Sequence, residues 1–314
     1  MRNLSKQIFS KFPRNYRDFP CSSPLFTRIL FRWVNDLMLI ICVLMTALLL
    51  THPQEAILSA RSAIQVWGMD VIPSLFPYMV LCRVLTSQLK RAPVSAPVVI
   101  SLLGLSGGSP SGAATLRAFA DSGSIQNNQV LPLFALTGTI SPMFLLNTLS
   151  LWFRDSVFGI RLLIANLLGS ILTAITVSFF HGDIEDFTKC MHYPDSSVDD
   201  PIIQSVHSVL NVGGAIVFYS ILASYTRTVM PIASPFFCAV MHSLLEISGG
   251  MREMASLPIS QPLCAGLTGF GGISVLSQNY YFLKPYLPAK ALVTVSVIRA
   301  FFSTSIMQLL VLFG

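Results

Sequence analysis

The chain has 314 residues and a formal net charge of +6; 53% of its residues are apolar and only 11% are charged, against roughly 25% charged in ordinary soluble domains. Its mean hydropathy is +0.67. These values exclude an ordinary soluble domain and describe an integral membrane protein, in which spans of about 20 residues each build one bundle.

The positive excess is local. Residues 1–32 hold Arg2, Lys6, Lys11, Arg14, Arg17, Arg28 and Arg32 against Asp18, and the rest of the chain balances. A basic arm directly before the first apolar run keeps the N-terminus cytoplasmic and the protein in the cell membrane, and a nucleic-acid partner is not expected. The first run, Val34 to Leu50, exits through LLLTHPQEA without a small-x-small cleavage site. Residues 33–55 therefore read as a retained signal anchor and its loop. Cys42, Cys82, Cys238 and Cys264 sit in apolar runs and no two cysteines form C-x-x-C, so they read as packing residues.

From Ala56 to Leu85 the pattern predicts a helix broken at Pro73 and Pro77, each of which removes a backbone donor. SLLGLSGGSPSGAATLRAF (101–119) opens as an apolar helix, dissolves into glycine, serine and proline, and resumes. Val130 to Phe153 follows, then a clean span from Ser156 to Phe180, then a polar stretch from His181 to Asp200 with six acids and one lysine. That stretch gathers His181, Asp183, Glu185, Asp186, Cys190 and His192 without a recognised ligand spacing, so no metal is expected there. Apolar runs resume at Ser205 to Met230, Ile232 to Ser248, Pro262 to Leu283 and Ala291 to Phe313.

Two landmarks repeat. SLLGLSGG (101–108) recurs as SLLEISGG (243–250), and ALTG (135–138) recurs as GLTG (266–269), with a small-residue break after each second landmark, TISP in one copy and FGGIS in the other. The expected fold is an all-α polytopic membrane protein with about seven full spans and two re-entrant helical hairpins in a duplicated, inverted repeat. Its parts are residues 1–32 (cytoplasmic arm), 33–55 (anchor), 56–180 (first repeat), 181–203 (acidic loop) and 204–314 (second repeat). Inversion requires the acidic loop on the cytoplasmic side, whereas Arg154 and Arg161 argue for the other face. Secondary transporters bind solute at such paired breaks, where half-helix ends offer free N–H and C=O groups. Close helix packing by small residues is the other reading of the glycines.

The segments VIPSLFPYMVLCRVL, GLSGGSPSGAATLRAF, TGTISPMFLLNTLSLWF, SLLEISGGMREMASLP and LTGFGGISVLSQ resemble, in this order over about residues 56–285, the YlbJ-type sporulation integral membrane proteins. That family lies in the group carrying the nucleoside-recognition, or gate, domain of concentrative nucleoside transporters. The resemblance implies a polytopic protein of spore-forming Firmicutes, required in sporulation, with a transporter-like core and a nucleoside-like solute by analogy. The chain departs from it at Gly108-Ser109-Pro110-Ser111-Gly112-Ala113, where an aromatic residue is expected, and in its long basic arm.

Glu246 is the leading candidate site residue, because a carboxylate in an apolar run costs about 2.5 kcal/mol or more and usually faces a cavity. His242 lies four residues earlier on the same helical face and completes a proton-sensitive pair. Neutral donors and acceptors cluster at the breaks: Ser106, Gly107, Gly108, Ser109 and Ser111 at the first, Thr137, Gly138, Ser141 and Asn147 at the second, Ser248 and Gly249 at the third, and Thr268, Gly269, Gly271, Ser274 and Gln278 at the fourth. Such a set suits a small polar solute, polyhydroxylated or heterocyclic; each residue alone also suits a helix cap. No cofactor is expected beyond Na+ or H+ as a coupling ion. Asp70 and Arg83 flank the predicted proline break, and Arg299 lies midway through the last span. Two other classes compete: a non-transporting membrane scaffold needed for spore-envelope assembly, and an intramembrane serine hydrolase using Ser111 and His242; the protein partners expected are further copies of this chain or other sporulation membrane proteins. The chain has no P-loop motif.

Overall fold

The computed structural model describes residues 39, 42–89, 95–181, 200–230 and 232–313. The basic arm, most of the anchor's start and most of the acidic loop lie outside the described residues. The described chain is helical throughout, with no strand. Helix α1 (Cys42–Thr51) belongs to one compact unit, and all that follows, from Pro53 to Gly314, forms the other.

The second unit opens with α2 (Pro53–Gln65), a π-helical stretch at Val66–Val71, and α3 (Ile72–Leu89). The predicted break at Pro73 and Pro77 is thus absorbed differently. The backbone widens into π geometry just before Pro73, and Pro77 lies inside α3. A proline deprives the carbonyl four residues upstream of its donor, and a π turn is a known way to accommodate that loss. Trp67 lies against the helix Pro201–Val229 with its indole donating to the Val209 carbonyl at 3.2 Å, where a Cβ on Gly213 would stand within 2.7 Å of the ring.

A pattern of elements then occurs twice. In the first copy α4 (Ala96–Gly107) and α5 (Ser111–Asp121) flank a break, α6 (Asn127–Thr137) and a π stretch at Phe144–Leu149 with α7 (Ser150–Phe153) flank another, and α8 (Ser156–His181) follows. In the second copy, after α9 (Pro201–Val229), α10 (Pro235–Leu245) and α11 (Ile247–Met254) flank a break, α12 (Gln261–Phe270) and α13 (Gly272–Leu283) flank another, and α14 (Ala289–Phe313) closes the chain. Local signals place the starts: Asp155 accepts from the Phe158 N–H, Asp200 from Ile202 and Ser234 from Phe237, with Pro201 and Pro235 in the first helical turns.

Ser156–Phe180, Pro201–Val229 and Ala289–Phe313 are each long and apolar enough to cross a bilayer. Other apolar segments are shorter, such as Ala96–Gly107 and Pro235–Leu245. Only 39% of the most apolar stretch of Ser156–Phe180 is buried, and 28% of that in Ala289–Phe313. Leu172, Ile175, Phe179, Phe301 and Leu312 face outward, an arrangement stable in lipid and costly in water.

Helices α12, α8 and α14 pack side by side, with Asn166 on α8 donating to Thr268 on α12 at 3.0 Å. A clamp outside these helices joins α5 to the turn after α13. The Tyr286 hydroxyl donates to Asp121 at 2.6 Å, and Arg117 binds Asp121 and the Phe282 carbonyl. Burial, aided by the Asp121 carboxylate, pushes the Tyr286 phenol up to about 12.

Gly108 has φ +62°, and a Cβ there would lie 2.5 Å from the Ser141 nitrogen, whereas Gly214 has no neighbour within 4 Å of a Cβ. Gly108→Ala is therefore expected to cost about 2 kcal/mol or more, read as a lower melting temperature in detergent, while Gly214→Ala leaves that temperature unchanged or raises it.

Candidate functional site

Four helix breaks converge, and each has a specific answer for the backbone groups it leaves unbonded. At the first, Gly108 turns the chain and donates to the Gly104 carbonyl at 2.7 Å, and Ser109 N–H donates to Thr139 O at 2.7 Å in the second break. The Ser109 hydroxyl accepts from the Asn279 amide on α13 at 3.0 Å. The first copy is thereby tied to the second through Asn279, which is not among the residues the sequence pattern singles out. A Gln278-Asn279 pair inside an apolar run was the available signal.

At the second break the guanidinium of Arg299, 1% exposed, donates to the carbonyls of Gly138 and Ala135 at the C-terminal end of α6. Its charge lies over the Phe134 ring at 5.9 Å, and no carboxylate pairs with it among the described residues. A buried cation at a helix C-terminus is matched to the negative end of the helix dipole.

The third break is formed by Glu246 itself. The sequence pattern predicts an apolar helix interrupted at Gly249-Gly250; the chain instead breaks at Glu246 and continues as α11 through both glycines. The cause is the carboxylate, which accepts Ser248 N–H at 2.9 Å on one oxygen and Gly249 N–H at 2.6 Å on the other. These bonds start α11 at its positive end. Glycines at 249 and 250 let α11 fold back on α10: a Cβ on Gly249 would stand 2.6 Å from His242 Nε2, and one on Gly250 would overlap the Ser243 main chain. The fourth break turns at Gly271 and Gly272, with φ of +86° and +79°.

Ser109, Ser141, Glu246, Ser248, Ser274 and Gln278 share the wall of a cavity of about 50 Å³ with Val71, Leu75, Ile140, Phe144, Val212 and Ile216. The hydroxyl oxygens of Ser141 and Ser274 are buried with no hydrogen-bond partner among the described residues. The volume suits an ion or a few water molecules, whereas drug-sized ligands occupy about 300–1,000 Å³. A second cavity, of about 370 Å³, lies between α2, α9, α10 and α11, lined by Ser59, Ser62, Ser220, Arg227, His242, Gly249 and Glu253 among others, and it also reaches Glu246. There His242 Nδ1 and Glu253 Oε1 are 3.0 Å apart, and Arg227 pairs with the other Glu253 oxygen at 2.8 Å. Glu253 was not a sequence candidate, although its spacing of seven from Glu246 puts both carboxylates on one helical face.

The remaining candidates lie elsewhere. Ser106 is exposed and donates to the Leu102 carbonyl, and Asn147 is exposed on the π stretch. Gly107 and Ser111 pack against each other at the start of α5, and Thr137 fills the space against Gly104. Thr268 receives Asn166, Gly269 takes the close approach of Ser303, and Gly138 is held by Arg299. Arg83, read as a flank of the proline break, binds Gln204 and Ser208 on α9. Ser111 lines neither cavity.

A helical chain with at least three bilayer-length apolar helices, outward-facing apolar side chains and a buried polar centre is consistent with one class, the integral membrane proteins. Within it, the chain is 21% identical to the "Sporulation integral membrane protein YlbJ" of Bacillus subtilis (strain 168), across 79% of this chain and 77% of that protein. The chain is a homologue of that protein, and the similarity supports the YlbJ-type family for it. No family model matches the chain, and no solved structure does.

Removing Arg299 strands two buried carbonyls. Arg299→Met is expected to cost about 2–4 kcal/mol. Glu246→Gln keeps one acceptor for two N–H groups and is expected to cost about 1–2 kcal/mol. Chemical or thermal unfolding of the purified protein in detergent gives both values, and equal losses would contradict the assigned roles.

Proposed function

We propose that this chain is a sporulation-associated, multi-pass membrane protein that binds a small polar solute between two inverted repeats and carries it across the cell membrane, with Na+ or H+ as the coupling ion. Its N-terminus is cytoplasmic in this reading, and it performs no covalent chemistry. The observation that carries the proposal is the meeting of both copies' breaks around one small cavity, into whose largely apolar wall polar side chains of both copies are set. Ser109 and Ser141 come from the first copy, and Glu246, Ser248, Ser274 and Gln278 from the second. Half-helix ends and interrupted backbone at a repeat interface are the features by which secondary transporters hold solute and ion. Recurrence of the order of elements from Ala96 to His181 in the order from Pro235 to Phe313 supports the duplication. The relative's name supports the association with sporulation. A nucleoside-like solute is inferred from the family resemblance alone.

Movement follows from the volumes. A solute larger than a few atoms does not fit about 50 Å³, so it enters from the larger cavity and reaches the inner hydroxyls when the copies separate. Glu246, which borders both spaces, is the group handed from one to the other. A scaffold that organises other sporulation membrane proteins is the second reading, favoured by the small inner cavity and by its tight main-chain tie between Ser109 and Thr139.

A ligand bound only by the native state raises the melting temperature once its concentration exceeds its dissociation constant. The detergent-solubilised protein is to be screened against nucleosides, bases, amino sugars and spore metabolites, with and without sodium. The proposal expects at least one hit that Glu246→Gln weakens about tenfold or more. No shift with any solute, ion or combination favours the scaffold.

A further inference from the structure

Among the described residues two formal charges are fully buried, Glu246 and Arg299, each 1% exposed. They are opposite in sign, so the interior is neutral with both ionised, and one further cation would stand there without a counter-charge, which is costly away from water. Arg299 stays protonated in a protein. Its guanidinium donates to Gly138 O at 2.5 Å and to Ala135 O at 3.3 Å, carbonyls in the last turn and cap of α6, where helical donors run out. Carbonyls at the C-terminal end of an interrupted helix are the groups with which secondary transporters coordinate Na+.

The second copy shows that the charge is specific to this break. Asn166 stands as far from the first residue of α8 as Arg299 does from that of α14, and Thr268 in GLTG matches Thr137 in ALTG. Both contacts cross between copies: Arg299 reaches the end of the ALTG helix in the first, and Asn166 donates to Thr268 in the second. Joining the copies at this level needs only a neutral amide, yet the first-copy break carries a full cation. Ile140 and Ser141, just beyond Gly138 in the chain, line the inner cavity that Glu246 also lines. We infer that the Arg299 guanidinium fills the place of a coupling cation at the second break, so that this protein carries its solute without Na+. The inference rests on the proposed solute-carrying role and removes Na+ from the coupling ions named there.

Melted in detergent in NaCl and in choline chloride at equal ionic strength, the unaltered protein is expected to give the same temperature in both. Arg299→Ala opens room where the guanidinium stood and leaves two carbonyls without their donor. Its melting temperature is expected to fall, to recover by about 3 °C or more with methylguanidinium chloride, and to become higher in NaCl than in choline chloride. Asn166→Ala, at the matching position of the other copy, is expected to melt lower with no response to either cation. Stabilisation of the unaltered protein by Na+ would overturn the inference, and so would recovery of Asn166→Ala by the same cations. A response of Arg299→Ala to methylguanidinium alone, or to neither cation, would reduce Arg299 to a helix cap and overturn it as well. If Arg299→Ala does not fold, the unaltered protein decides: a solute that binds equally in both salts supports the inference, and one that binds only with Na+ overturns it and leaves the solute-carrying role standing. No response to any solute would remove that role and the inference with it.

Discussion

A helix interrupted in apolar surroundings leaves N–H and C=O groups that no solvent bonds, and their satisfaction is the constraint on which this structure depends. The protein meets it with fixed charges chosen by sign. Glu246 stands at the N-terminal end of α11 and Arg299 at the C-terminal end of α6, each opposite the half-charge of its helix dipole. Where no charge is used, the breaks bond one another, Ser109 to Thr139 through the main chain and Asn279 to Ser109 through side chains.

The glycines follow from that solution. Carbonyl and amide groups of different breaks can meet only if their backbones approach closely, and Gly108, against Ile140 and Ser141, and Gly272, against Ser243 and Ile247, are where a Cβ would crowd the facing main chain. Close approach in turn places side chains from both copies around one small space. A small, largely apolar cavity at the meeting of the breaks is therefore a by-product of bonding them, and the uncommitted hydroxyls of Ser141 and Ser274 are what distinguish it from mere packing. Glu246 connects this interior with the larger cavity, whose lining also carries the Arg227–Glu253–His242 chain.

Composition alone made the solvent legible, and short repeated words made the order of breaks legible, because glycine, serine and proline interrupt helices for local reasons that survive any fold. Register was harder. Gly250 aligns with Gly108 in sequence, yet one lies inside a helix and the other turns the chain, since the carboxylate at position 246 starts the helix four residues earlier. Proline at 73 and 77 read as a break because the accommodating π stretch has no sequence signature of its own. Ser106 and Asn147 had the right chemistry and the wrong face, which only the packing of neighbours decides. Asn279 and Glu253 were missed because their partners, Ser109 and Arg227, are distant in sequence.

The most direct measurement is thiol accessibility in membrane vesicles, in a chain whose six cysteines are replaced by serine and single cysteines are introduced at Ser109, Ser141, Ser274, Ser106 and Asn147. If the breaks enclose a polar site reached from water, a charged methanethiosulfonate reagent modifies positions 109, 141 and 274 and spares 106 and 147, which face outward from an apolar surface. Modification at 106 and 147 with none at the three cavity positions would contradict the account and leave the breaks as packing devices.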